Sequence, residues 1–158
     1  MKKKLIKVFI LILIAVPVVA FVFYQSQVYL GEQAIDATGL KKIPYAEALV
    51  QSEKDKRYVL ADMSAIWCPA CRKLNRDVLA DSNVKTVINQ HYIYTRLEYE
   101  TDEGKQFMQR HDLKGFPTLL ILDSKGKKVW QLPLTFEPEL FIDYLNDFNE
   151  LKKADELV

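Results

Sequence analysis

The chain is poor in the residues that build several common kinds of site. Its 158 residues include only two cysteines and two histidines, so a framework of several disulfides is excluded and ligands for a zinc site are scarce. No internal repeat or low-complexity segment is present. The hydrophobic fraction of 49% and the charged fraction of 27% are those of an ordinary globular protein. We therefore expect one domain with a hydrophobic core, plus a further segment.

Acidic residues are missing from the first 24 positions, which carry four lysines. The remaining residues include 18 basic and 21 acidic side chains, a net charge of about −3. A chain with this balance lacks the basic patch that nucleic-acid binding requires. We therefore expect no nucleic-acid partner.

One long apolar run follows the lysines. Residues 8–24 are uncharged, and the run reaches 20 residues when it is counted from Leu5, with Lys7 extending its amine toward water. A transmembrane helix needs about 17–25 such residues, whereas the apolar region of a signal peptide has about 7–15. The sequence therefore predicts a signal anchor over residues 1–24 that contacts the membrane through residues 5–24. The alternative is a signal peptide cleaved after Ala20.

The lysines also predict the side of the membrane. Positive charge stays on the cytoplasmic side, so the remainder is expected on the periplasmic or extracytoplasmic face of the cytoplasmic membrane, or free there after cleavage. Residues 25–40 mix polar and small side chains and are interpreted as a juxtamembrane linker. Residues 41–158 then form the folded domain.

Within that domain the apolar spacing predicts an α/β fold. A helix is expected after Pro44, with Ala46, Leu49 and Val50 facing inward, and a break at Asp81–Ser82 is expected to begin a short helix. The other predicted segments are strands at residues 58–63, 92–99, 118–122 and 127–132, and helices at 68–79, 101–110 and 140–151. The order β-α-β-α-β-β-α, after one helix, predicts a central mixed sheet flanked by helices on both faces.

The two cysteines, Cys68 and Cys71, lie two residues apart directly after a predicted strand. If Cys68 caps the next helix, its sulfur faces the unpaired N–H groups of the first turn and the positive end of the helix dipole. Pro69 then occupies the first helical position, which tolerates its missing N–H. Cys71 would lie one turn on, close enough to attack a mixed disulfide at Cys68. The spacing favours a redox-active pair.

Three other interpretations of the cysteines compete with a redox-active pair. A zinc site needs two further ligands, and His91 and His111 lie far away in the sequence without a paired motif. Haem attachment needs histidine directly after the second cysteine, where this chain has Arg72. A pair of inert core cysteines remains an alternative. We expect neither a metal nor a cofactor.

Asp62 interrupts an apolar strand six positions before Cys68. A buried carboxylate is costly unless it is hydrogen-bonded or functional, and burial favours its protonated form. Asp62 is therefore a candidate proton acceptor for Cys71, with an exposed acid on an edge strand as the alternative.

Three more residues are candidates for substrate contact. Pro117 begins an apolar strand, where proline is tolerated at the first position, and a cis bond there would leave the preceding backbone free to pair with an extended substrate. Phe116 precedes that proline. Trp67 precedes Cys68 and is predicted to offer a rigid apolar contact, with ordinary core packing as the alternative.

Taken together, Trp67–Cys71, Asp62 and Gly115–Thr118 resemble the thioredoxin superfamily over about residues 43–151. The run from Cys68 to Val78, followed by Asp81–Val84, is most similar to the C-terminal periplasmic domain of the thiol:disulfide interchange protein DsbD and its membrane-tethered relatives.

The resemblance implies a thioredoxin fold in which Cys68 is the nucleophile and Cys71 the resolving thiol. It further implies that Asp62 is the buried acid, that Pro117 is a cis-proline and that Arg96 lies near the acid. The pair between the cysteines is Pro-Ala rather than the Gly-Pro of ordinary thioredoxins, so the direction of electron flow does not carry over.

The expected function is therefore a membrane-anchored extracytoplasmic thiol–disulfide oxidoreductase that reduces protein disulfides. DsbD-type domains are normally fused to an electron-carrying membrane domain with its own cysteines. This chain has no third cysteine, so a membrane electron donor is expected to act in trans. The alternatives are an oxidase or isomerase with the same site, and a non-catalytic binding or redox-sensing module.

Overall fold

The computed structural model describes residues 2–156, so residue 1 of the predicted anchor and residues 157–158 of the predicted domain lie outside it. The helices are α1 Lys2–Thr38, α2 Tyr45–Asp55, α3 Pro69–Leu74, α4 Ser82–His91, α5 Asp102–Arg110 and α6 Pro138–Glu156, with a π-helical turn at Asn75–Leu79 after α3. The strands are β1 Tyr58–Ser64, β2 Tyr92–Glu98, β3 Thr118–Leu122 and β4 Lys128–Gln131.

The four strands form one mixed sheet in the order β2-β1-β3-β4. Strands β1 and β2 are parallel, in a register that pairs Tyr58 with Tyr92 and Ser64 with Glu98. A parallel pair needs a long crossover, which α3, the π turn and α4 supply. Strand β3 is antiparallel to both β1 and β4. The predicted mixed sheet with flanking helices is confirmed.

The alternation of β1 divides the core into two layers. Leu60 packs into the layer that contains α3, α4 and α6, whereas Val59 and Met63 pack into the layer that contains α2 and α5. Asp62 shares the side of Leu60 because successive strand residues point to opposite faces. The acid therefore faces the layer to which the cysteine-bearing helix belongs.

The inward face predicted for α2 was wrong at two positions. Ala46 is exposed and Val50 is 70% exposed, whereas the buried residues are Tyr45, Ala48 and Ser52. The helix is rotated so that the Tyr45 ring meets Phe107 of α5 edge to face, with 5.4 Å between ring centroids. Burial of the larger aromatic surface of Tyr45 contributes more free energy than burial of one valine side chain.

Helix α1 continues past the apolar run, so the residues predicted as a linker are helical as far as Thr38. Side chains of the apolar run are exposed, as at Phe21 and Phe23, whereas Gly31 and Thr38 are buried against the domain. Among the described residues, one helix is long and apolar enough to cross a membrane, by length and composition alone. A signal sequence meets the same criterion.

The core helix α6 provides a test of the packing. Phe141 is fully buried between the sheet and α4, whereas its neighbour Leu140 is 40% exposed. Phe141→Ala is expected to lower the free energy of unfolding by about 3–5 kcal/mol, because it leaves a cavity. The matched change Leu140→Ala is expected to cost less than about 1 kcal/mol. Urea denaturation of both variants measures the difference, and equal losses would contradict this assignment of the buried face.

Candidate active site

Cys68 is the last residue of the turn that joins β1 to α3. The strand ends at Ser64, and a tight turn closes with the Cys68 N–H donating to the Ala65 carbonyl at 3.0 Å. Cys68 keeps an extended backbone as the N-cap of α3, and Pro69 takes the first helical position. The predicted cap is therefore the conformation that the chain adopts.

The Cys68 sulfur lies at the N-terminus of α3. It accepts the backbone N–H of Cys71 at 3.1 Å and lies 4.0 Å from the Phe116 carbonyl oxygen. A sulfur that caps a helix N-terminus meets unpaired N–H groups and the positive end of the dipole. Only 4% of Cys68 is exposed, so an attacking or attacked sulfur must approach along a narrow path.

Cys71 has a different environment. It is 1% exposed, and burial, with a further contribution from its hydrogen bond with Cys68, raises the pKa of the Cys71 thiol well above its usual range. A thiol with a raised pKa keeps its proton and is a poor nucleophile. The two sulfurs are thus unequal: Cys68 caps the helix, whereas Cys71 lies inside the first turn and is almost completely buried.

Asp62 lies in the middle of β1 with no solvent exposure. Its carboxylate accepts hydrogen bonds from the Ser64 hydroxyl at 2.6 Å, the Tyr94 hydroxyl at 2.9 Å and the Arg96 guanidinium at 3.0 Å. A buried charge is tolerated when it is paired and hydrogen-bonded in this way. The alternative of an exposed edge acid is excluded, and Arg96 lies beside the acid as the resemblance implied. The proton-acceptor role stays a prediction.

Sequence reasoning missed two acids, Glu98 and Glu100. The other end of the Arg96 guanidinium donates to Glu98 at 3.0 Å, and Glu98 in turn accepts the backbone N–H of Ile66. Glu100 accepts the indole N–H of Trp67. Both carboxylates therefore hold the two residues that precede Cys68.

The two acids also affect each other. Burial raises the pKa of Glu98 from 4.5 to about 7, with a hydrogen bond to Glu100 acting in the same direction and Arg96 opposing it. The signal that could have revealed Glu98 is the alternation of β2, since Tyr94, Arg96 and Glu98 occupy every second position and share the face of Asp62.

Aromatic side chains surround the entrance to Cys68. Trp67 meets Phe116 edge to face at 5.5 Å, and Tyr99 meets Phe116 at 5.3 Å, each between ring centroids. The Phe116–Pro117 peptide bond is cis, as the resemblance implied. Trp67, Phe116 and the two cysteines form one cluster, with Pro117 next to it in the chain and Asp62 behind it in the strand. Tyr99 was not predicted.

The part of the chain that the structure describes offers no cluster of metal ligands at this site. Within residues 2–156, no group of three or more histidine, cysteine, aspartate or glutamate side chains is arranged to hold a metal ion. The zinc alternative therefore lacks a ligand set in the described part of the chain. The arrangement of the two sulfurs is suited to thiol–disulfide exchange instead.

The first test of the site changes its buried acid. Asp62→Asn is expected to slow release of a mixed disulfide by about 10–100-fold, because an amide cannot take the Cys71 proton. The amide oxygen still accepts hydrogen bonds, so the fold is retained. Tyr94→Phe, which removes one hydrogen bond and keeps the carboxylate, is the control. Rates measured across about pH 6–9 that are unchanged in Asp62→Asn would contradict a role in proton transfer.

The second test uses the pH dependence of stability. Because the pKa of Glu98 is raised in the folded chain to about 7, the folded state binds more protons than the unfolded state between the two pKa values. Stability from this group is therefore present at low pH and falls as pH rises through about 7. Glu98→Gln removes the titration and keeps an oxygen acceptor for Ile66. Urea denaturation between about pH 5 and pH 8 should show a steeper decline in the unmodified chain, and parallel curves would contradict the assignment.

Sequence comparison relates this chain to thioredoxin-like proteins. A family model described as thioredoxin-like matches residues 41–124. UBX domain-containing protein 2 of Schizosaccharomyces pombe is 32% identical over 111 residues, which cover 70% of this chain and 26% of that protein. Thiol:disulfide interchange protein DsbD of Photorhabdus laumondii is 24% identical over 81 residues, covering 51% of this chain and 14% of that protein. The chain therefore spans about a quarter or less of these two relatives.

Solved structures agree with the sequence comparisons. A thioredoxin from Thermus thermophilus has a TM-score of 0.61 at 26% identity, over 69% of this chain and 86% of that chain. The DsbH oxidoreductase has a TM-score of 0.54 at 26% identity, over 63% of this chain and 74% of that chain. The predicted thioredoxin fold and the resemblance to DsbD are confirmed. The family model matches more than half of the residues of this chain, and the chain therefore belongs to the thioredoxin-like family.

Proposed function

We propose that this chain is a membrane-anchored, extracytoplasmic oxidoreductase that reduces disulfides of other proteins through Cys68 and Cys71. One observation carries the proposal: the Cys68 sulfur caps α3 and accepts the N–H of Cys71 at 3.1 Å, while Cys71 itself is almost completely buried. The names of DsbD and DsbH support thiol–disulfide chemistry as the reaction class.

The first step is attack of the Cys68 thiolate on one sulfur of a substrate disulfide. The substrate S–S bond breaks as a bond forms between that sulfur and Cys68, and the other substrate sulfur leaves as a thiolate that takes a proton from water. Backbone N–H groups at the start of α3 stabilise the thiolate before attack. The product of this step is a mixed disulfide with Cys68.

The second step releases the reduced substrate. Cys71 loses its proton, for which Asp62 is the proposed acceptor, and attacks the Cys68 sulfur. The mixed disulfide breaks, the second substrate sulfur leaves and is protonated, and a Cys68–Cys71 disulfide remains. The substrate has gained two electrons and two protons. A membrane electron donor in trans then reduces the Cys68–Cys71 disulfide again.

Substrate contact falls to the residues at the entrance. Trp67, Phe116 and Pro117 are proposed to bind the segment that flanks the substrate disulfide, because Trp67 and Phe116 pack against the cysteine cluster and Pro117 follows Phe116 through a cis bond. The Phe116 carbonyl oxygen, 4.0 Å from Cys68, is a backbone acceptor within reach of an extended substrate.

The anchored, extracytoplasmic location is supported by the charge asymmetry and by α1. Four lysines precede the apolar run, and the helix that contains this run has the length and composition of a membrane span. Lysines of this kind stay in the cytoplasm. The domain after α1 is therefore proposed to face the oxidising side, with protein disulfides as substrates.

Reduction of insulin disulfides tests the activity. With dithiothreitol as the recycling donor, the intact chain is expected to accelerate insulin precipitation at least about tenfold over the donor alone. Cys68→Ser removes the nucleophile and should return the rate to background. A background rate for the intact chain would contradict an enzymatic function and favour a non-catalytic binding module.

Two measurements in the native membrane address the substrates and the direction of electron flow, and the first uses the variant Cys71→Ser. The variant should hold substrates on Cys68 as mixed disulfides, with the Cys68→Ser/Cys71→Ser double variant as the control. Thiol alkylation of the unmodified chain in cells reports its steady redox state. A mostly reduced pair supports a reductase, whereas a mostly oxidised pair supports an oxidase.

A further inference from the structure

Helix α1 joins the apolar run to the domain without a flexible segment. Its internal proline, Pro17, lies within the apolar run, and the residues from Tyr24 to Thr38 include no proline. The one glycine among them, Gly31, is buried rather than exposed. Glycine weakens a helix mainly through its conformational freedom, and here packing against the domain removes that freedom.

Gly31 contacts the turn that precedes the nucleophile. A Cβ at this position would overlap the carbonyl oxygen of Ile66 and lie 3.0 Å from the Ile66 carbonyl carbon. Only glycine permits the two backbones to approach this closely. Because Cys68 follows Ile66 by two residues, α1 is in direct contact with the active-site turn.

Arg72 makes a second link between the same elements. Its guanidinium donates to the backbone carbonyls of Gln27 on α1 and of Trp67 beside Cys68, each at 3.4 Å. Gln27 lies one turn before Gly31, on the side of the apolar run. The helix is thus fixed to the active-site turn at two successive levels.

The order of these contacts along α1 gives its direction. Leu40, just after the helix, packs into the core with Leu74 and Val78. Gly31 lies at the level of the active-site turn, and Tyr24 ends the apolar run seven residues earlier. At about 1.5 Å per residue, Gly31 lies about 10 Å from that end of the run, whereas Thr38 lies about 20 Å from it. The active-site turn therefore lies at the end of the domain that is nearer to the apolar run of α1.

We propose that α1 is a rigid strut that holds Cys68 at the membrane surface, so that the preferred reaction partner is an integral membrane protein whose disulfide lies at the level of the lipid headgroups. The proposal rests on the membrane-anchored function proposed above. A headgroup layer is about 6 Å thick, which leaves only a few ångströms of water between the headgroups and the level of Gly31. A small soluble domain, about 30 Å across, does not fit into that space.

The side chains at this edge suit such a position. Trp67, Phe116 and Tyr99 form a continuous aromatic group around Cys68. Tryptophan and tyrosine are the residues enriched at membrane–water interfaces, because their rings combine an apolar body with a polar tip. Tyr29, on α1 between the apolar run and Gly31, is 59% exposed and adds a ring at an intermediate height.

The test uses the full chain, reduced beforehand and reconstituted in phosphatidylethanolamine and phosphatidylglycerol vesicles. Its probes are two transmembrane peptides, each bearing the same disulfide-closed loop. One presents the loop directly after its last apolar residue, and the other presents it after a helical spacer of about 20 residues, which adds about 30 Å. Thiols released from each peptide are counted by alkylation. The low loop is expected to react about tenfold faster or more, because effective concentration collapses when a tether cannot span the separation.

Two changes to α1 test the strut itself. Seven helical residues inserted between Tyr24 and Gln25 raise the domain by about 10 Å with only about 20° of rotation, and should slow reaction with the low loop about tenfold. Reduction of insulin by the detergent-solubilised chain, where no bilayer limits access, should not change. Gly31→Leu separates α1 from the turn at Ile66 and should remove the preference for the low loop. Ala37→Leu, on an exposed position of the same helix, is the matched control and should keep it.

The outcomes separate the two proposals. Equal rates with both loops, alongside normal insulin reduction, overturn the strut and leave the oxidoreductase function standing. A purified mature chain that begins near Phe21, found by mass analysis, overturns the strut in the same way. Failure to reduce insulin and both loops overturns the oxidoreductase function and the strut with it. A rate preference that the insertion abolishes supports the strut.

Discussion

The buried Asp62 carboxylate is the constraint on which the rest of the site depends. A charge in the middle of a sheet must be paired, and Ser64, Tyr94 and Arg96 meet that need from the same face. Arg96 then reaches Glu98, which holds the backbone of the turn before Cys68. One chain of charge-assisted hydrogen bonds thus connects the centre of β1 to Ile66 in the turn before Cys68. The turn before Cys68 is therefore held by the charged groups of the sheet as well as by its own backbone hydrogen bond.

Features encoded in short stretches of sequence could be predicted. The strands follow from runs of β-branched and aromatic residues, and the start of α4 from Asp81, whose carboxylate accepts the N–H groups of Asn83 and Val84. The cap at Cys68 follows from the proline after it. The acid in an apolar strand was identifiable because nothing in its own neighbourhood explains it. In each case the physical cause lies within a few residues of the effect.

Features that depend on distant pairing could not be predicted in this way. Glu98 lies 32 positions after Ile66, and only the parallel register of β1 and β2 places its carboxylate beside that turn. The buried face of α2 was predicted wrongly because it is determined by the contact of Tyr45 with Phe107, a residue far along the chain. Residues 25–38, which mix polar and small side chains, form a helix whose Gly31 and Thr38 are buried against the domain. The need for glycine at position 31 becomes visible only in the structure, where the Ile66 carbonyl lies against it.

The continuity of α1 has a consequence for how partners are encountered. In the proposed arrangement, the domain rotates about the membrane normal together with its helix, so Cys68 sweeps a circle at one height. Encounters then occur by lateral diffusion in two dimensions, and their frequency depends on how many partners share a unit area of bilayer. Dilution of the surrounding aqueous phase leaves that frequency unchanged. Selectivity among chemically similar disulfides would then come from their height above the membrane rather than from the side chains next to them.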